Sequence, residues 1–446
     1  MNTIQEAIIS VPINRISLTS IDTDYSYGDI INLTEKNSKT INFLKNSSVA
    51  INGRSRMEFA LLLSMLDGKT EKVLFMPSDI NEALHDQYYY EADINYEVFL
   101  ENDNLYYKEV NPISTNNQKK DIITQWIIPT SGTTNIPKLV AHTFESLTRT
   151  AKRNIDLGER YRWGLVFDIY RFSGIQVFLQ SILAGSTLIV TESSQSMSEI
   201  LDTLIQNKCN ALSATPSFWR KVLMSPEADN LNPERITLGG EIADENTLQA
   251  LSKKFLNAKI SHIYASTEVG VGFSVTDGHE GFPKEYLNGG LDTIKMKIDN
   301  GGLLWIAPGN QAQSYLSQSN MYGEDGYINT GDIVELRDDR IYFLGRDSGA
   351  INVGGNKVQP EEVESKLMSL ELITAAYVYS IKNSMMGSLV CADVVLSDNS
   401  LDKKEAKAVI LKYCRESLDG FKVPAILKFV DELKTTQSGK LQRNIK

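Results

Sequence analysis

The stretch that decides the fold is "GLVFDIYRFSGIQVFLQSILAGSTLIVTE", residues 164–192. Its two ends are short runs of apolar residues typical of buried strands, and its middle repeats apolar residues at helical spacing. A strand, a helix and a second strand in this order predict a crossover unit, which joins parallel strands. The stretch therefore predicts an α/β fold built on parallel sheet.

The same alternation of strands and helices continues from about residue 160 to residue 270. Further strands are predicted at "NALSAT" (210–215), "RITLGG" (235–240) and "KISHIYAS" (259–266), with helical patterns between them. Helices cover both faces of such sheets, and ligands bind beyond the carboxyl ends of the strands. The segments "GGE" (239–241) and "YASTE" (264–268) are therefore expected within reach of a ligand.

After Gly289 the pattern changes to strand–turn–strand units, as in "TIKMKIDNGGLLWIAPG" and "GDIVELRDDRIYFLGRD". A helix beginning at Pro360 follows, and then a mixture of strands and helix. We expect a large N-terminal domain, 1–346, of helix-covered, mostly parallel sheets plus a β-rich subdomain. A hinge at 347–349 and a small α+β C-terminal domain, 350–446, complete the predicted organisation.

Composition excludes several classes of protein. The 446 residues carry a formal net charge of −11, so there is no excess of basic side chains to neutralise the phosphates of a nucleic acid. The three cysteines lie far apart, which favours neither a zinc site nor a disulfide framework. The N-terminus lacks a signal-peptide pattern, and the apolar run "FALLLSML" is far shorter than the ~20 residues of a membrane span. We expect a cytoplasmic protein.

The segment "TSGTTNIPK", residues 130–138, has the composition of a loop that holds phosphates. It is not the loop of P-loop NTPases, G-x-x-x-x-G-K-[ST], because Pro137 stands at the second glycine and Leu139 follows Lys138. Proline removes a backbone N–H that a phosphate nest needs. The remaining donors suit a polyphosphate, and they come from Thr130, Ser131, Gly132, Thr133, Thr134 and Lys138.

Four further polar side chains suit a nucleotide site. Thr267 can donate to a phosphoryl oxygen, and Glu268 can bind Mg²⁺, which prefers oxygen ligands. Asp332, after an expected tight Thr-Gly turn, can accept both hydroxyls of a ribose, and Arg346 can bridge ribose or phosphate. Each pattern alone also fits a helix cap, a hairpin turn or an exposed side chain.

Taken together, five segments resemble in order the signature motifs of the adenylate-forming superfamily. These segments are "TSGTTNIPK", "YASTE", "TGD", "GRDSGAINVGG" and "SGKLQR". The superfamily comprises acyl- and aryl-CoA synthetases, adenylation domains of peptide synthetases, and luciferases. The resemblance covers roughly residues 40 to 443 and is closest to compact members such as o-succinylbenzoate–CoA ligases.

The resemblance implies that ATP activates a carboxylic acid as an acyl-adenylate, which is then transferred to a thiol. It implies ATP, Mg²⁺, and CoA or the phosphopantetheine of a carrier protein as the thiol acceptor. A stand-alone enzyme that loads an acid or amino acid onto a separate acyl carrier protein stays open. A non-catalytic nucleotide-binding homologue is disfavoured, because Glu268, Asp332 and Lys440 are all present.

The resemblance also implies a role for each matching residue. The ATP site would comprise the donors of the 130–138 segment together with Gly240, Glu241, Tyr264, Asp332 and Arg346. The catalytic residues would be Lys440, Thr267 and the magnesium ligand Glu268. The acid pocket would be lined by Arg171, Phe172, Ser173, Gly239, Ala265 and Ser266. Ser348 would be the hinge of a mobile C-terminal domain, and Gly354 and Gly355 would line the thiol channel.

The chain departs from the family pattern at Asn135, Ala265 and Ser348. Where amino-acid-activating relatives place an aspartate, the count back from the "AG" at 184–185 reaches Phe172, which disfavours an α-amino acid. Arg171 could pair with a second carboxylate of the substrate, or could form a structural ion pair. We expect a small or aromatic carboxylic acid without an amino group.

Overall fold

The computed structural model describes residues 2–52, 54–77, 80–111, 123–130, 138–289, 294–308, 314–315, 322–323, 325–383, 386–398 and 400–433. Its first elements, up to residue 158, are α1 (Ile4–Ile9), β1 (Ile16–Thr19), β2 (Asp24–Ser26), α2 (Tyr27–Lys36), α3 (Ser38–Phe43), β3 (Ser48–Asn52), α4 (Arg56–Leu66), β4 (Lys72–Met76), α5 (His85–Glu91), β5 (Tyr96–Glu101), β6 (Asn104–Glu109), β7 (Gln125–Pro129), β8 (Leu139–His142), α6 (Phe144–Thr148) and α7 (Ile155–Gly158).

The central elements are β9 (Arg162–Leu165), α8 (Phe172–Ile182), β10 (Thr187–Val190), α9 (Met197–Gln206), β11 (Ala211–Ala214), α10 (Pro216–Met224), β12 (Arg235–Gly239), α11 (Glu245–Lys254), β13 (Lys259–Ser266), β14 (Gly270–Val275) and β15 (Phe282–Pro283). The last elements are β16 (Ile294–Ile298), β17 (Leu303–Pro308), β18 (Ser314–Tyr315), β19 (Ile328–Arg337), β20 (Arg340–Arg346), β21 (Ile351–Val353), β22 (Asn356–Val358), α12 (Pro360–Met368), β23 (Ile373–Asn383), β24 (Gly387–Leu396), α13 (Lys403–Ser417) and β25 (Ile426–Phe429).

Sheet I contains the crossover units that the sequence predicts. Its strand order is β14-β13-β12-β11-β9-β10-β1-β2. The strands from β13 to β1 in this order run parallel, and β14 and β2 are antiparallel edge strands. The predicted strand in "GLVFDIY" ends at Leu165, so the residues from Val166 to Arg171 form the loop before α8. The carboxyl ends of β12 and β13 therefore lie side by side, as expected.

Sheet II, with the order β18-β8-β7-β4-β3-β5-β6, packs against sheet I through a shared hydrophobic core. Helix α4 lies in this core, and nearly all of its side chains are buried. A helix that is apolar on all sides needs such surroundings. The apolar run "FALLLSML" is thus the central helix of the fold. Among the described residues, no helix combines the length and the apolar character needed to cross a membrane.

Sheet III, β15-β20-β19-β17-β16, is the expected β-rich part, and its neighbouring strands are antiparallel. The predicted tight turn at Thr330–Gly331 is wrong, because these residues and Asp332 lie inside β19. Gly331 has a φ of +72°, and the pairing of β19 with β17 shifts at this point. The backbone therefore makes a bulge, which re-aims the following side chain without ending the strand.

Sheet IV belongs to the C-terminal part of the chain, with the order β22-β21-β24-β23 and β25 paired to β24. Helices α12 and α13 contribute buried residues to its separate hydrophobic core, which draws on residues 351 to 427. Helix α12 begins at Pro360, as predicted, with acidic residues in its first turn. The described C-terminal residues therefore form an α+β unit with its own core.

Candidate active site

Three of the predicted nucleotide-binding residues form one hydrogen-bonded group, here called the Asp332 cluster: Tyr264, Asp332 and Arg346. The Tyr264 hydroxyl donates to Asp332 Oδ2 at 2.5 Å. Arg346 Nε lies 2.8 Å from Asp332 Oδ1. The cluster joins the end of sheet I to sheet III, because Tyr264 is on β13 and the other two residues are on β19 and β20.

The strand register explains how residues so distant in sequence meet. Asp332 and Arg346 are direct partners in the β19–β20 pair. Thr330 supports the bulge, because its Oγ1 accepts from Asp332 N at 3.1 Å and donates to Leu304 O at 2.7 Å. Arg346 Nη1 also donates to Thr330 O at 3.2 Å. The sequence reasoning missed Thr330, although its hydroxyl is adjacent to the glycine that marks the bulge.

Aromatic rings surround Tyr264. The ring of Phe273 lies 5.3 Å from it with an interplanar angle of 14°, and that of Phe343 lies 5.2 Å away at 6°. Burial, followed by the neighbouring Asp332, raises the pKa of Tyr264 well above its ordinary value. The hydroxyl therefore stays protonated and keeps donating to the carboxylate.

The charged groups in and around the Asp332 cluster affect one another's pKa. Burial raises the pKa of Asp332, and the negative charge of Glu268 adds to that rise. The positive charge of Arg346 and the hydrogen bond from Tyr264 oppose it. Burial disfavours the charged form of Arg346, but Asp332, Tyr264, Glu268 and Glu361 together raise its pKa. Glu268 therefore lies close enough to act on both charges. Each Asp332 oxygen uses one lone pair here, which leaves acceptor capacity for hydroxyl groups.

The two ends of the predicted phosphate loop are tied together. Thr130 N donates to Lys138 O at 2.8 Å, and Lys138 N donates to Thr130 Oγ1 at 3.1 Å. Thr130 is buried, whereas Lys138 is exposed. These residues follow β7 and precede β8, which are paired antiparallel. The loop residues Ser131, Gly132, Thr133, Thr134 and Asn135, named in the prediction, lie outside the described residues.

The "GGE" segment follows β12 at the carboxyl edge of sheet I. Gly239 ends the strand, and Gly240 has a φ of +81°, a conformation that favours glycine. The Glu241 carboxylate accepts from Ser217 N at 3.0 Å, in the first turn of α10. A carboxylate at a helix N-terminus is favourable. Glu241 therefore supports the start of α10.

The predicted acid-pocket residues lie at the start of α8 and the end of β13. Arg171 is the N-cap of α8, and its Nε lies 3.9 Å from Asp168 Oδ2. Phe172 is buried. Ser173 is half-buried, and so are Ala265 and Ser266 at the end of β13. A Cβ at Gly174 would lie 2.2 Å from Asp168 O, so glycine allows the helix to start against this loop.

The predicted hinge and thiol-channel residues follow β20. Ser348 lies in a short 3₁₀ turn, Asp347–Gly349. Gly354 and Gly355 form the turn between β21 and β22, with φ values of +58° and +90°. Lys357 Nζ lies 2.9 Å from Asp347 Oδ1, which ties this hairpin to the turn. The predicted catalytic Lys440 lies outside the described residues.

Comparison with known proteins identifies the family. The model of the AMP-binding enzyme family matches residues 68–294, just over half of the chain, and that of the AMP-binding enzyme C-terminal domain matches residues 362–440. The chain belongs to the AMP-binding enzyme family.

The named relatives include a CoA ligase and a peptide synthase. The chain is 27% identical over 345 residues to a 2-succinylbenzoate–CoA ligase of Bacillus pumilus, covering 72% of this chain and 68% of that protein. It is 27% identical over 350 residues to a dimodular nonribosomal peptide synthase of Bacillus subtilis, covering 71% and 14%. The solved o-succinylbenzoate CoA synthetase of B. subtilis, in complex with the acyl-adenylate OSB-AMP, matches with a TM-score of 0.74 and 19% identity over 99% of this chain and 97% of that one.

These findings confirm three predictions made from the sequence. The α/β fold class is confirmed by the structure and its match to solved relatives. Membership of the adenylate-forming superfamily is confirmed by the family match. The chain is an enzyme of the AMP-forming acid–thiol ligase class, which activates a carboxylic acid with ATP and passes it to a thiol.

Proposed function

We propose that the protein converts a carboxylic acid without an amino group into its CoA thioester through an acyl-adenylate. A substrate carboxylate oxygen attacks the α-phosphorus of ATP, and pyrophosphate leaves. The CoA sulfur then attacks the acyl carbon, and AMP leaves. The observation that carries this proposal is the Asp332 cluster, a buried carboxylate held between a tyrosine and an arginine beside the strand ends of sheet I.

The nucleotide would lie across the carboxyl ends of β12 and β13. Asp332 has acceptor capacity for the two ribose hydroxyls, with Arg346 beside it. The Tyr264 ring is already stacked on those of Phe273 and Phe343, so we assign to Tyr264 the orientation of the Asp332 carboxylate through its hydroxyl instead of stacking on the adenine. Gly240 and Glu241 would border the base, and Thr267 would donate to the α-phosphate. Glu268, already close to Asp332 and Arg346, would hold Mg²⁺. The metal supplies charge neutralisation for the phosphates.

The β- and γ-phosphates would be held by the loop that Thr130 and Lys138 close. Its hydroxyl and backbone donors would come from Ser131, Gly132, Thr133 and Thr134, with Lys138 as the cation. The hydrogen bond between the Thr130 and Lys138 backbones holds the two ends of the loop together, where the paired strands β7 and β8 meet it. That fixed base supports a polyphosphate role for this loop.

The acid would bind between the start of α8 and the end of β13. Phe172 offers an apolar wall, Arg171 a positive charge, and Gly239, Ala265 and Ser266 the floor. The Arg171 guanidinium, 3.9 Å from Asp168 through its Nε, could pair with a second carboxylate or another polar group of the substrate. That positive charge at the start of α8 favours an acid with a second polar or anionic group.

The C-terminal part would deliver Lys440 and then the thiol. We propose a boundary at 347–349, with Ser348 as the pivot between the domains 1–346 and 350–446. Lys440 would bridge the substrate carboxylate and the α-phosphate during adenylation, and Gly354 and Gly355 would line the path of the thiol afterwards. A Cβ at Gly355 would meet no atom within 4 Å, so the backbone there is open to a narrow ligand, which supports that role.

ATP–pyrophosphate exchange across a panel of acids tests this proposal. We expect exchange with non-amino acids, strongest for aromatic or dicarboxylic ones, and release of a thioester only when CoA is added. Exchange stimulated by amino acids alone would contradict the choice of substrate. Acyl transfer to a phosphopantetheinyl carrier protein but not to CoA would favour the carrier protein as the acceptor. The partial match to a peptide synthase is the reason for including this test.

A further inference from the structure

A buried histidine lies among the proposed site elements, and the mechanism above does not use it. His142 is the last residue of β8, and none of its surface is exposed. Its Nδ1 lies 3.3 Å from Ser146 Oγ on α6. Its Nε2 makes no well-formed hydrogen bond to any of the described residues. A fully buried polar atom of this kind calls for an explanation, because leaving it unpaired costs free energy.

Two proposed site residues border this imidazole. The ring of Phe172, at the start of α8, lies 5.9 Å from the ring of His142. Burial lowers the pKa of His142 to about 4, and a contact with the Thr267 backbone opposes that change. A backbone group that favours the protonated ring is a carbonyl acceptor. The neutral imidazole therefore lies near both the Phe172 ring and the carbonyl of Thr267.

The tautomer of His142 depends on one hydroxyl proton. Ser146 Oγ lies 3.0 Å from Thr143 O and 3.3 Å from His142 Nδ1, and its single proton can go to only one of them. When Ser146 donates to Nδ1, the ring proton is on Nε2. The imidazole then presents an N–H donor, and a carbonyl oxygen such as that of Thr267 can accept it.

We propose that His142 is a positioning residue for the turn at Thr267 and Glu268, which its Nε2–H holds through the Thr267 carbonyl in the nucleotide-bound enzyme. The proposal rests on the proposed roles of these two residues. His142 follows the phosphate loop on β8, so one side chain would link the strand after that loop to the proposed α-phosphate donor and magnesium ligand. Such supporting hydrogen bonds orient the groups that touch the metal and substrate.

Replacement of His142 by leucine tests this role in the full chain. We expect His142→Leu to lower kcat of ATP–pyrophosphate exchange by about 10- to 100-fold and to raise the Mg²⁺ concentration for half-maximal rate. The KM for the acid should stay close to that of the wild type. His142→Gln keeps an N–H donor at the position of Nε2 and should restore most of both parameters. The thermal midpoint of each variant is measured in parallel.

A matched variant separates positioning from packing. Ile127 is fully buried on β7, and Ile127→Ala lowers stability by leaving a cavity. It should leave the Mg²⁺ dependence unchanged. A His142→Leu enzyme with unaltered kcat and Mg²⁺ dependence would overturn the proposal. A change confined to the KM for the acid would also overturn it, because that result identifies a substrate contact.

Ring ¹⁵N spectra give a readout that does not require turnover. The chain has four histidines, so His142 can be assigned by comparison with His142→Gln. With MgATP bound, we expect the Nε2–H tautomer of His142, and an Nδ1–H tautomer would contradict the proposal. If the wild type shows no exchange with any acid, the proposed function fails, and these spectra still decide the role of His142.

Discussion

At the scale of single residues, Asp332 carries much of the proposed chemistry. Its carboxylate is buried, which disfavours the ionised form. The hydrogen bond from Tyr264 and the positive charge of Arg346 stabilise that ionised form. The ribose hydroxyls would therefore meet an acceptor that is already oriented. Preorganisation of this kind limits the entropy lost when the nucleotide binds.

Replacement of Tyr264 by phenylalanine tests this balance through pH. The hydroxyl lowers the pKa of Asp332, so Tyr264→Phe should raise that pKa further. Because the ionised carboxylate is the active form, the acidic limb of the rate profile should move to higher pH. Asp332→Asn serves as the control, since it should abolish this limb and raise the KM for ATP. An acidic limb that stays in place in Tyr264→Phe would contradict the assignment.

The residue motifs identified the members of the cluster but not their bonds. Tyr264 and Asp332 are 68 positions apart, and their contact depends on how sheet I meets sheet III. No local pattern contains that information. His142 was missed for a similar reason: a lone histidine at the end of a strand has no motif, and its importance lies in an unpaired nitrogen that only the packing creates.

At the scale of elements, the start of α8 positions the proposed acid pocket. The helix begins one residue after Arg171, against the loop that contains Asp168. Gly174 makes that close approach possible. The helix itself was predicted well because its apolar periodicity is strong. The bulge in β19 was mistaken for a turn because glycine marks both structures, and only the continued pairing of β19 distinguishes them.

Gly174→Ala is expected to disturb the acid pocket selectively. Its Cβ would lie 2.2 Å from the Asp168 carbonyl, so the helix start and Arg171 must shift. We expect the KM for the acid to rise about tenfold or more, as one lost pocket contact costs about 1–3 kcal/mol, with little change in the KM for ATP. Gly420→Ala is the matched control, because a Cβ there meets nothing within 4 Å. Equal changes in both Michaelis constants would refute the pocket assignment.

At the scale of the whole molecule, the fold gathers three sheets around one edge. Sheet I supplies β12 and β13, sheet II supplies the ends of β7 and β8, and sheet III supplies the Asp332 cluster. The alternation of strands and helices predicted β9 to β13 of sheet I, but not its remaining strands β1, β2 and β14. The packing of sheets I and II around α4 follows from the apolar character of that helix, but the partner sheet could not be inferred from its sequence alone.

The division of labour between the two proposed domains leads to a prediction about Lys440. It would neutralise the substrate carboxylate and the α-phosphate as they approach, a task confined to the first half-reaction. Lys440→Ala should therefore slow adenylation by about 100- to 1,000-fold, the usual effect of losing such a group. Binding of ATP should change little, because the nucleotide would be held by the domain 1–346.

The second half-reaction provides the decisive comparison for Lys440. Starting from a synthetic acyl-adenylate, the Lys440→Ala enzyme should form the CoA thioester at a rate close to that of the wild type. Lys407→Ala, which removes an exposed lysine on α13 of the same domain, should leave both half-reactions unchanged. Rapid-quench measurement of each half-reaction separates these outcomes. Equal losses in both halves would show that Lys440 is not specific to adenylation and would remove the reason for a domain that moves between the two steps.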